Sequence, residues 1–425
     1  FQAFLILLTC ALDGADLSLL GATLKALEES LGLTPMQLGL MSLAQALSMS
    51  LAAPVWGWLC DTGFASRREL MSAGALGWGL MMVCTGLAKN LATLVSLRLL
   101  NGAFTASLTP LSQSWVGKHV EPEARGRTFG FLAMACSFGA VCCTTATVAI
   151  ASRHYQLGGH DFEGWRLMSF LVGILSMMLS LVIRSFMHEE EPSRMGLNDK
   201  SLCDMVSEVT QNLQAHWRLA SFRTIISQGV VGSIPWNAMN FEIMFLFYVG
   251  FTPQEVSRLT AMLAPTHLLG PMIGGYIGDW AARVSPYHGR AFTAQFSVMT
   301  GIPLSILTFI VLPNTVGPKL NWFLAVKAAF NLTATWCLTG VNRPLLNDIV
   351  DARSRASIVA WDVSLEGAVA AIFGMPLLGF LAEHCFGYHA SSVAVASMPE
   401  SLRQTNMYAL QKSLFVLCVV PWIIC

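Results

Sequence analysis

Twelve apolar stretches, each long enough to cross a lipid bilayer as a helix, constrain this chain more than any other feature. A helix needs about 20 apolar residues to span the hydrocarbon core, because each residue adds about 1.5 Å along its axis. We number these stretches as spans 1 to 12, at residues 3–28, 37–60, 69–88, 91–117, 126–152, 165–186, 222–250, 255–281, 290–312, 320–345, 355–383 and 405–425. Since a helix satisfies its own backbone hydrogen bonds in lipid, the pattern predicts an all-α membrane protein with twelve transmembrane helices.

The charge content agrees with a membrane protein and excludes several other classes. Only 12% of the residues are charged, about half the fraction of a soluble domain. The net charge is zero, which gives no electrostatic basis for a nucleic-acid partner. The eleven cysteines contain no Cys-x-x-Cys pair, so we read them as packing residues and predict no metal site and no cofactor.

Sequence patterns of enzymes are missing as well. The chain has no Gly-x-x-x-x-Gly-Lys-Ser/Thr loop for ATP phosphates, no zinc-ligand spacing and no nucleophile elbow. We therefore predict a protein that is not an enzyme and does not hydrolyse ATP. The chain begins at Phe1, inside an apolar run, and we expect the natural N-terminus to lie upstream.

The basic residues predict the orientation of the spans. Fifteen of the 25 lysines and arginines lie in the loops that follow even-numbered spans or at the adjoining ends of the spans, and the opposite loops are nearly free of them. Basic loops stay in the cytoplasm, so both termini should be cytoplasmic. One long connection divides the chain into a six-span bundle at 1–186, a cytoplasmic linker at 187–221 and a second bundle at 222–425.

The two halves share a motif at corresponding places. Span 2 ends in a proline, then Gly57-x-x-x-Asp61, then arginines, and span 8 repeats this order with Gly275-x-x-x-Asp279. We expect the glycines to allow close helix contact and the aspartates to bind arginines in a cytoplasmic gate; an anchor with no gating role is the alternative. The predicted gating residues are Gly57, Asp61, Arg67, Arg68, Arg125, Asp279, Arg283, Arg290 and Arg353.

This repeated motif resembles the helix 2–3 signature of the major facilitator superfamily. Further stretches are similar to spinster-like members: "DLSLLGATLKALEESLGLTPMQLGL", "LRLLNGAFTASLTPLSQS", "EPEARGRTFG", "EGWRL" and "NRPLLNDIVDARSRAS". The resemblance implies two pseudo-symmetric six-helix bundles and a cavity lined by spans 1, 4, 7 and 10. Two positions depart from the spinster-like pattern, since Leu17 stands where an arginine is common and Thr105 where an acidic residue is common. The lysolipid or sphingolipid substrates and the proton coupling of that branch therefore do not carry over directly.

Charged residues inside the spans are the first candidates for a functional site, because an unpaired charge in lipid costs several kcal/mol. Asp13 and Asp16 lie on one face of span 1, and their mutual repulsion favours a proton on one of them. Arg98 in span 4 and Lys327 in span 10 occupy matching places in the two halves. They either attract an anionic substrate or pair with Asp13, Asp16 or Glu242; structural roles are the alternative.

Span 7 adds polar side chains around a predicted kink at Pro235, where freed carbonyl groups and amides can meet a substrate. In span 11, Asp362 and Glu366 share one face and could pair with arginines of the gate. The predicted substrate-binding residues are Asp16, Arg98, Thr105, Trp236, Asn237, Asn240, Lys327 and Asn331. The predicted proton-coupling residues are Asp13, Asp16, Glu242 and Glu366.

The sequence thus predicts a transporter that works by alternating access, either facilitative or proton-coupled. Its substrate is a small polar or anionic organic solute, with a lysophospholipid or sphingolipid as the alternative that the resemblance supports. A third hypothesis is a non-transporting receptor or scaffold of transporter descent. The expected partners are the substrate, protons and membrane lipids, and we expect a monomer.

Overall fold

All twelve predicted spans appear as helical segments in the computed structural model of the chain. The structure describes residues 2–61, 64–108, 111–112, 115, 120, 122–157, 159–187, 207, 217–342, 344–346 and 355–425. Two units can be distinguished: unit 1 comprises Phe1–Lys200 with Ala390–Ala394, and unit 2 comprises Ser201–His389 with Val395–Cys425. Residues 390–394 join unit 1 because the amide of Ser391 donates to Glu28 Oε1 (2.9 Å) in span 1.

The described residues of unit 1 form six helices and a short hairpin. In chain order these elements are α1 (Gln2–Leu31), α2 (Pro35–Asp61), α3 (Arg67–Leu87), α4 (Leu91–Thr105), α5 (Pro122–Ile150), β1 (His154–Leu157), β2 (His160–Glu163) and α6 (Gly164–Phe186). Helix α1 packs on α5, α2 on α4, and α3 on α6. A Cβ at Gly14 would collide with the carbonyl oxygen of Cys136, so glycine allows α1 and α5 to approach backbone to backbone.

The hairpin is a small correction to the all-α prediction. Strands β1 and β2 are antiparallel, and Leu157 pairs with His160 across a two-residue turn. Gly159 in that turn has a φ of +83°, a conformation that glycine adopts without a steric penalty. Helix α4 ends at Thr105, but Leu108, Leu111, Ser112 and Trp115 are helical again, so the described residues do not contradict the predicted end of span 4 at residue 117.

The motif "EGWRL" begins α6 and ties it to the end of α3. Glu163 accepts from the indole nitrogen of Trp165 (3.0 Å) and from Nε of Arg166 (2.7 Å). Arg166 also donates to the carbonyl oxygens of Gly86 (3.0 Å) and Ala88 (2.6 Å). The last carbonyl groups of a helix have no partner within it, so this arginine satisfies two of them at the end of α3.

Unit 2 has helices that are interrupted more often. They are α7 (Ala220–Ala238), a 3₁₀ turn (Met239–Phe241), α8 (Glu242–Val249), α9 (Pro253–Val284), α10 (Gly289–Ile306), α11 (Leu312–Thr315), α12 (Leu320–Thr333), α13 (Arg355–Phe373), α14 (Met375–Phe380) and α15 (Glu400–Ile424). Three π-helical segments continue spans 9, 10 and 11, at Leu307–Val311, Cys337–Asn342 and Leu381–Cys385. A further 3₁₀ turn lies at Val395–Ser397.

A proline or a glycine lies at three of the breaks in unit 2. Pro235 lies in the last turn of α7, just before the 3₁₀ turn, and Pro303 lies one turn before the first π segment. Gly374 separates α13 from α14 with a φ of −88° and a ψ of −99°. Within the described residues, eight helices are long and apolar enough to cross a membrane. Both units therefore consist of membrane-spanning helices, and the charged side chains inside them define the candidate site.

Candidate functional site

An ion pair is buried in unit 1 between spans 1 and 4. Arg98 Nη1 lies 3.9 Å from Asp16 Oδ1, and their side chains are only 3% and 0% exposed. Gln45 of α2 joins them, because its Nε2 donates to Asp16 Oδ2 (3.0 Å) and its Oε1 accepts from Arg98 (3.1 Å). The same Nε2 donates to Asn101 Oδ1 at 2.9 Å. The predicted pairing of Arg98 with a span 1 carboxylate is therefore what the structure shows.

The other predicted residues of unit 1 surround this network. Oδ1 of Asp13 is buried, and no hydrogen-bond partner for it lies among the described residues. Thr105 is fully buried and donates to the carbonyl oxygen of Asn101 (2.9 Å) within its own helix. Gln45 and Asn101 were missed by the sequence analysis, since neither is ionisable. Amide side chains in apolar spans are the signal that could have revealed them.

A second ion pair lies in unit 2 between spans 7 and 10. Lys327 Nζ is 2.7 Å from Glu242 Oε2, and the side chains are 11% and 15% exposed. Glu242 begins α8 directly after the 3₁₀ turn, so the break that Pro235 introduces sets its position. The Lys327 ammonium also lies 4.8 Å from the ring centroid of Phe330. Spans 1 and 4 correspond to spans 7 and 10 in the two halves, so the pairs occupy equivalent places.

The remaining polar candidates of unit 2 have different partners. Asn237 Oδ1 accepts from the amide of Met375 (2.8 Å) and thus caps α14 beside the break at Gly374. Asn240 Nδ2 donates to the carbonyl oxygen of Asn237 (2.9 Å). Asn331 Nδ2 donates to Thr266 Oγ1 at 3.3 Å. The amides around the kink thus have identified structural partners, and their part in binding stays a prediction.

Three aromatic rings form a cluster beside the second ion pair. The ring centroids of Trp236, Phe330 and Trp422 are 5.8 Å apart in each of the three pairs. Trp236 is 42% exposed, and with Trp422 it lines a cavity of about 70 Å³ inside unit 2. This cluster was missed except for Trp236, because aromatic residues in apolar spans do not stand out from the core.

The opposite end of that cavity is polar. Asn342 Nδ2 donates to Gln228 Oε1 (2.7 Å), and Gln228 Nε2 donates to the sulfur atoms of Cys425 (2.9 Å) and Cys337 (3.3 Å). Glu366 lines the same cavity and is buried. Sequence reasoning singled out Glu366 but not the amides or thiols around it. Within the described residues, no group of three His, Cys, Asp or Glu side chains is placed to hold a metal ion.

The aspartate–arginine contact that was predicted for the gate is present in unit 2. Arg290 Nη2 lies 2.9 Å from Asp279 Oδ1, and Arg283 Nε donates to the backbone oxygen of Asp279 at 3.4 Å. The repeated aspartate therefore binds arginine, as expected. The expected close contact at the motif glycines was wrong: among the described residues, no atom outside their own helices lies within 4 Å of a Cβ built on Gly57 or Gly275. Both glycines lie on open faces of their helices.

The unit 1 copy of the gate is described only in part. Arg67 and Arg68 begin α3, and each has an interaction partner. The side chains of Asp61 and Arg125 lie outside the described residues, as does the whole of Arg353. The neighbouring Glu69 closes a capping box with Ser66 and is bound by Arg184 of α6 (3.2 Å).

Long apolar helices with charge pairs buried inside them define an integral membrane protein, and the duplicated pairs and gate motif are those of a solute transporter. The chain belongs to the Major Facilitator Superfamily, whose family model matches residues 6–375. This confirms the superfamily and the fold that the sequence indicated.

Three comparisons place the chain within that family. Its fold is similar to the crystal structure of a bacterial homologue of the human lysosomal transporter Spinster in an inward-facing, unoccupied conformation, with a TM-score of 0.81, 19% identity, and coverage of 99% of this chain and 94% of that one. A cis,cis-muconate transport protein of Acinetobacter baylyi is 22% identical over 89% of this chain and 86% of its own length. The multidrug resistance protein MdtG of Escherichia coli is 26% identical over 70% of each chain. The resemblance to spinster-like proteins is thereby confirmed at the level of the fold.

Proposed function

We propose that this transporter moves a small polar or anionic organic solute by alternating access, with substrate-binding groups on spans 7 and 10. The observation that carries this proposal is the Lys327–Glu242 pair, which is partly open while the Asp16–Arg98 pair is sealed. A charged pair that keeps contact with water inside a membrane-spanning unit has a way to meet a dissolved solute. The cis,cis-muconate transport protein among the relatives carries an anionic solute, which agrees with this class.

Proton coupling is the second part of the proposal, and Asp16 is its first candidate. Protonation of Asp16 would remove its attraction to Arg98 and weaken the bond from Gln45, which would release the link between spans 1, 2 and 4. Asp13, one turn away on the same face, can share the proton because two neighbouring carboxylates do not ionise independently. Glu242 and Glu366 are the corresponding candidates in unit 2.

Replacement of Asp16 by asparagine tests the coupling. Purified protein in liposomes is assayed for uptake of a panel of organic solutes across a pH gradient, with solutes chosen by a thermal-shift screen of metabolites and lipids. The Asp16→Asn chain should lose the dependence of uptake on the gradient and keep exchange of solute. Asp161→Asn, in the exposed hairpin, is the matched control. If Asp16→Asn leaves the pH dependence unchanged, Asp16 has no coupling role.

The gate and the orientation complete the proposal. The Asp279–Arg290 pair and its unit 1 counterpart around Asp61 hold the cytoplasmic side in one state and release it in the other. The basic loops place both termini in the cytoplasm, with bundles at 1–186 and 222–425 joined by a linker at 187–221, and the chain acts as a monomer.

Two alternatives keep specific support. The spinster-like fold favours a lysophospholipid or sphingolipid substrate, for which lipids rather than dissolved solutes would shift the melting temperature. A receptor or scaffold of transporter descent agrees with the departures at Leu17 and Thr105. A gate pair that is formed in unit 2 argues against the scaffold, because a protein with no transport cycle has no use for it.

A further inference from the structure

The ion pair of unit 2 presents a lysine whose carboxylate partner can be exchanged. Lys327 is held by one direct contact of 2.7 Å with Glu242, and both side chains keep some contact with solvent. Arg98, by contrast, is completely enclosed and shares a bridging glutamine with its carboxylate. An external carboxylate could take the place of Glu242 on Lys327, and Glu242 could then turn to the open side of the pair, where 15% of its side chain is exposed. Such an exchange keeps the buried ammonium paired throughout, which avoids the cost of leaving it alone.

The aromatic residues near Lys327 indicate what kind of group the ligand carries next to its carboxylate. The Lys327 ammonium lies 4.8 Å from the ring centroid of Phe330, which is buried and stacked on the buried Trp422. Trp236 contacts both rings and is 42% exposed, so it is the ring of this cluster that a ligand can reach. Trp236 and Trp422 also line a cavity with Val298 and Ala334, so these rings border empty space inside unit 2. Aromatic faces bind flat apolar groups by offset or edge contacts. A ligand with a carboxylate at one end and a planar apolar body at the other fits this order of groups.

We propose that Lys327 is the receptor for the carboxylate of a planar, apolar organic acid, that Glu242 is its displaceable internal counter-ion, and that the partly exposed ring of Trp236, packed on the buried Phe330 and Trp422, binds the body of the acid. This inference rests on the proposed transport function and names its substrate class. Asn331 lies four residues after Lys327 in the same helix, and its side-chain amide donates to the hydroxyl of Thr266 (3.3 Å), so these two groups are the candidates for binding a second polar atom.

Benzoate is the probe that tests this proposal, with benzamide as its uncharged isostere and acetate as its counterpart without a ring. Binding to the purified full-length chain in detergent is measured by calorimetry and by thermal shift. Benzoate should bind more tightly than either benzamide or acetate. Glu242→Gln should tighten benzoate binding about tenfold, which corresponds to roughly 1.4 kcal/mol, because the internal competitor is removed. Lys327→Met should abolish benzoate binding, and Trp236→Leu should reduce the advantage of benzoate over acetate.

Two controls separate recognition from folding. Lys412 is an exposed lysine of unit 2 that also lies near an aromatic ring, that of Phe386, so Lys412→Met should bind benzoate like the wild type. The double variant E242Q/K327M contains no unpaired charge and should recover the melting temperature that K327M loses, without recovering benzoate binding. A merely structural pair would make E242Q weaken binding or leave it unchanged.

The outcomes distinguish this inference from the transport function itself. Equal binding of benzamide and benzoate, absence of benzoate binding to both the wild type and E242Q, or unchanged affinity in E242Q would each overturn the inference. If liposomes take up another solute under those results, the proposed transport function stands and its substrate class is different. If benzoate binds with the expected variant pattern and no solute crosses the bilayer, the site is correct and the transport proposal fails.

Discussion

Each half of this transporter has an ion pair between corresponding spans, but the pair is fully buried in unit 1 and partly exposed in unit 2. In unit 1 the charges of Asp16 and Arg98 are 3.9 Å apart, with Gln45 bonded to both. In unit 2 the charges of Lys327 and Glu242 touch directly at 2.7 Å and remain partly exposed. A bridged and sealed pair is suited to holding helices together, whereas a direct pair at a water-accessible place is suited to exchange with a ligand. The two ion pairs, which join corresponding spans, thus differ in burial and in whether a side chain bridges the charges.

The largest effect is expected where the sealed pair loses its cation. Arg98→Met leaves the Asp16 carboxylate buried without its counter-ion and Gln45 without a donor, which should lower the free energy of unfolding by about 3–5 kcal/mol. Thermal melting of the purified chain measures this loss. Arg153→Met, at an exposed position of the same unit, is the control. A loss no greater than that of the control would contradict the view that the unit 1 pair holds helices together.

Removal of the lysine of the open pair should affect stability less and transport more. In Lys327→Met the Glu242 carboxylate is not fully buried, with 15% of its side chain exposed, so the expected loss of stability is roughly 1.5–3 kcal/mol, the range for a hydrogen bond to a charged group. Solute uptake into liposomes should fall to the background level at temperatures where the variant is folded. Melting and uptake measured on one preparation test both statements, and full uptake by a folded K327M chain would refute the assignment of Lys327 to the site.

The bridge in unit 1 offers a test with no change of charge. Gln45→Leu removes the hydrogen bonds to Asp16, Arg98 and Asn101 and leaves buried polar atoms unsatisfied, at an expected cost of about 1–3 kcal/mol. Thermal melting again gives the value, with the exposed Gln156→Leu as the control. If Q45L melts like the wild type, the glutamine does not link these spans.

The smallest change in stability is expected at the gate. Asp279 is more than half exposed in its pair with Arg290, so Asp279→Asn should change the free energy of unfolding by about 0–1 kcal/mol. Uptake should nevertheless fall, because one cytoplasmic state loses the contact that stabilises it. The double variant D279N/R290Q should melt like the wild type and remain slow in uptake. Normal uptake by D279N would show that the pair is only a topological anchor.

The sequence analysis identified site residues best where an ionisable residue lies inside a long apolar span. Asp16, Arg98, Lys327 and Glu242 each stood out because an ionisable side chain is rare inside a span, and the structure pairs them as one of the two sequence hypotheses proposed. The number and approximate position of the spans followed from hydrophobicity alone. These features depend on local composition, which a single sequence displays fully.

Features that depend on contacts between residues far apart in the chain could not be predicted from the sequence. Gln45 and Asn101 look like ordinary polar residues until the folded chain places them beside Arg98. Phe330 and Trp422 look like ordinary core residues in the sequence. Only the structure shows that Phe330 lies beside Lys327 and that Trp422 lines a cavity. The expected tight contact at Gly57 was wrong for a related reason, since a glycine permits close approach but does not require it.

The π segment at Cys337–Asn342 has a consequence for span 10. A turn with one surplus residue rotates everything beyond it by roughly 100° relative to a continuous α-helix. Lys327 precedes this turn, and Asn342, which donates to Gln228, ends it. If the π turn moved to another position in span 10, Lys327 and Asn342 would be rotated relative to each other about the helix axis. Both ends of the helix could stay in place during this change. Such a shift would change the orientation of Lys327 and the Asn342–Gln228 hydrogen bond together.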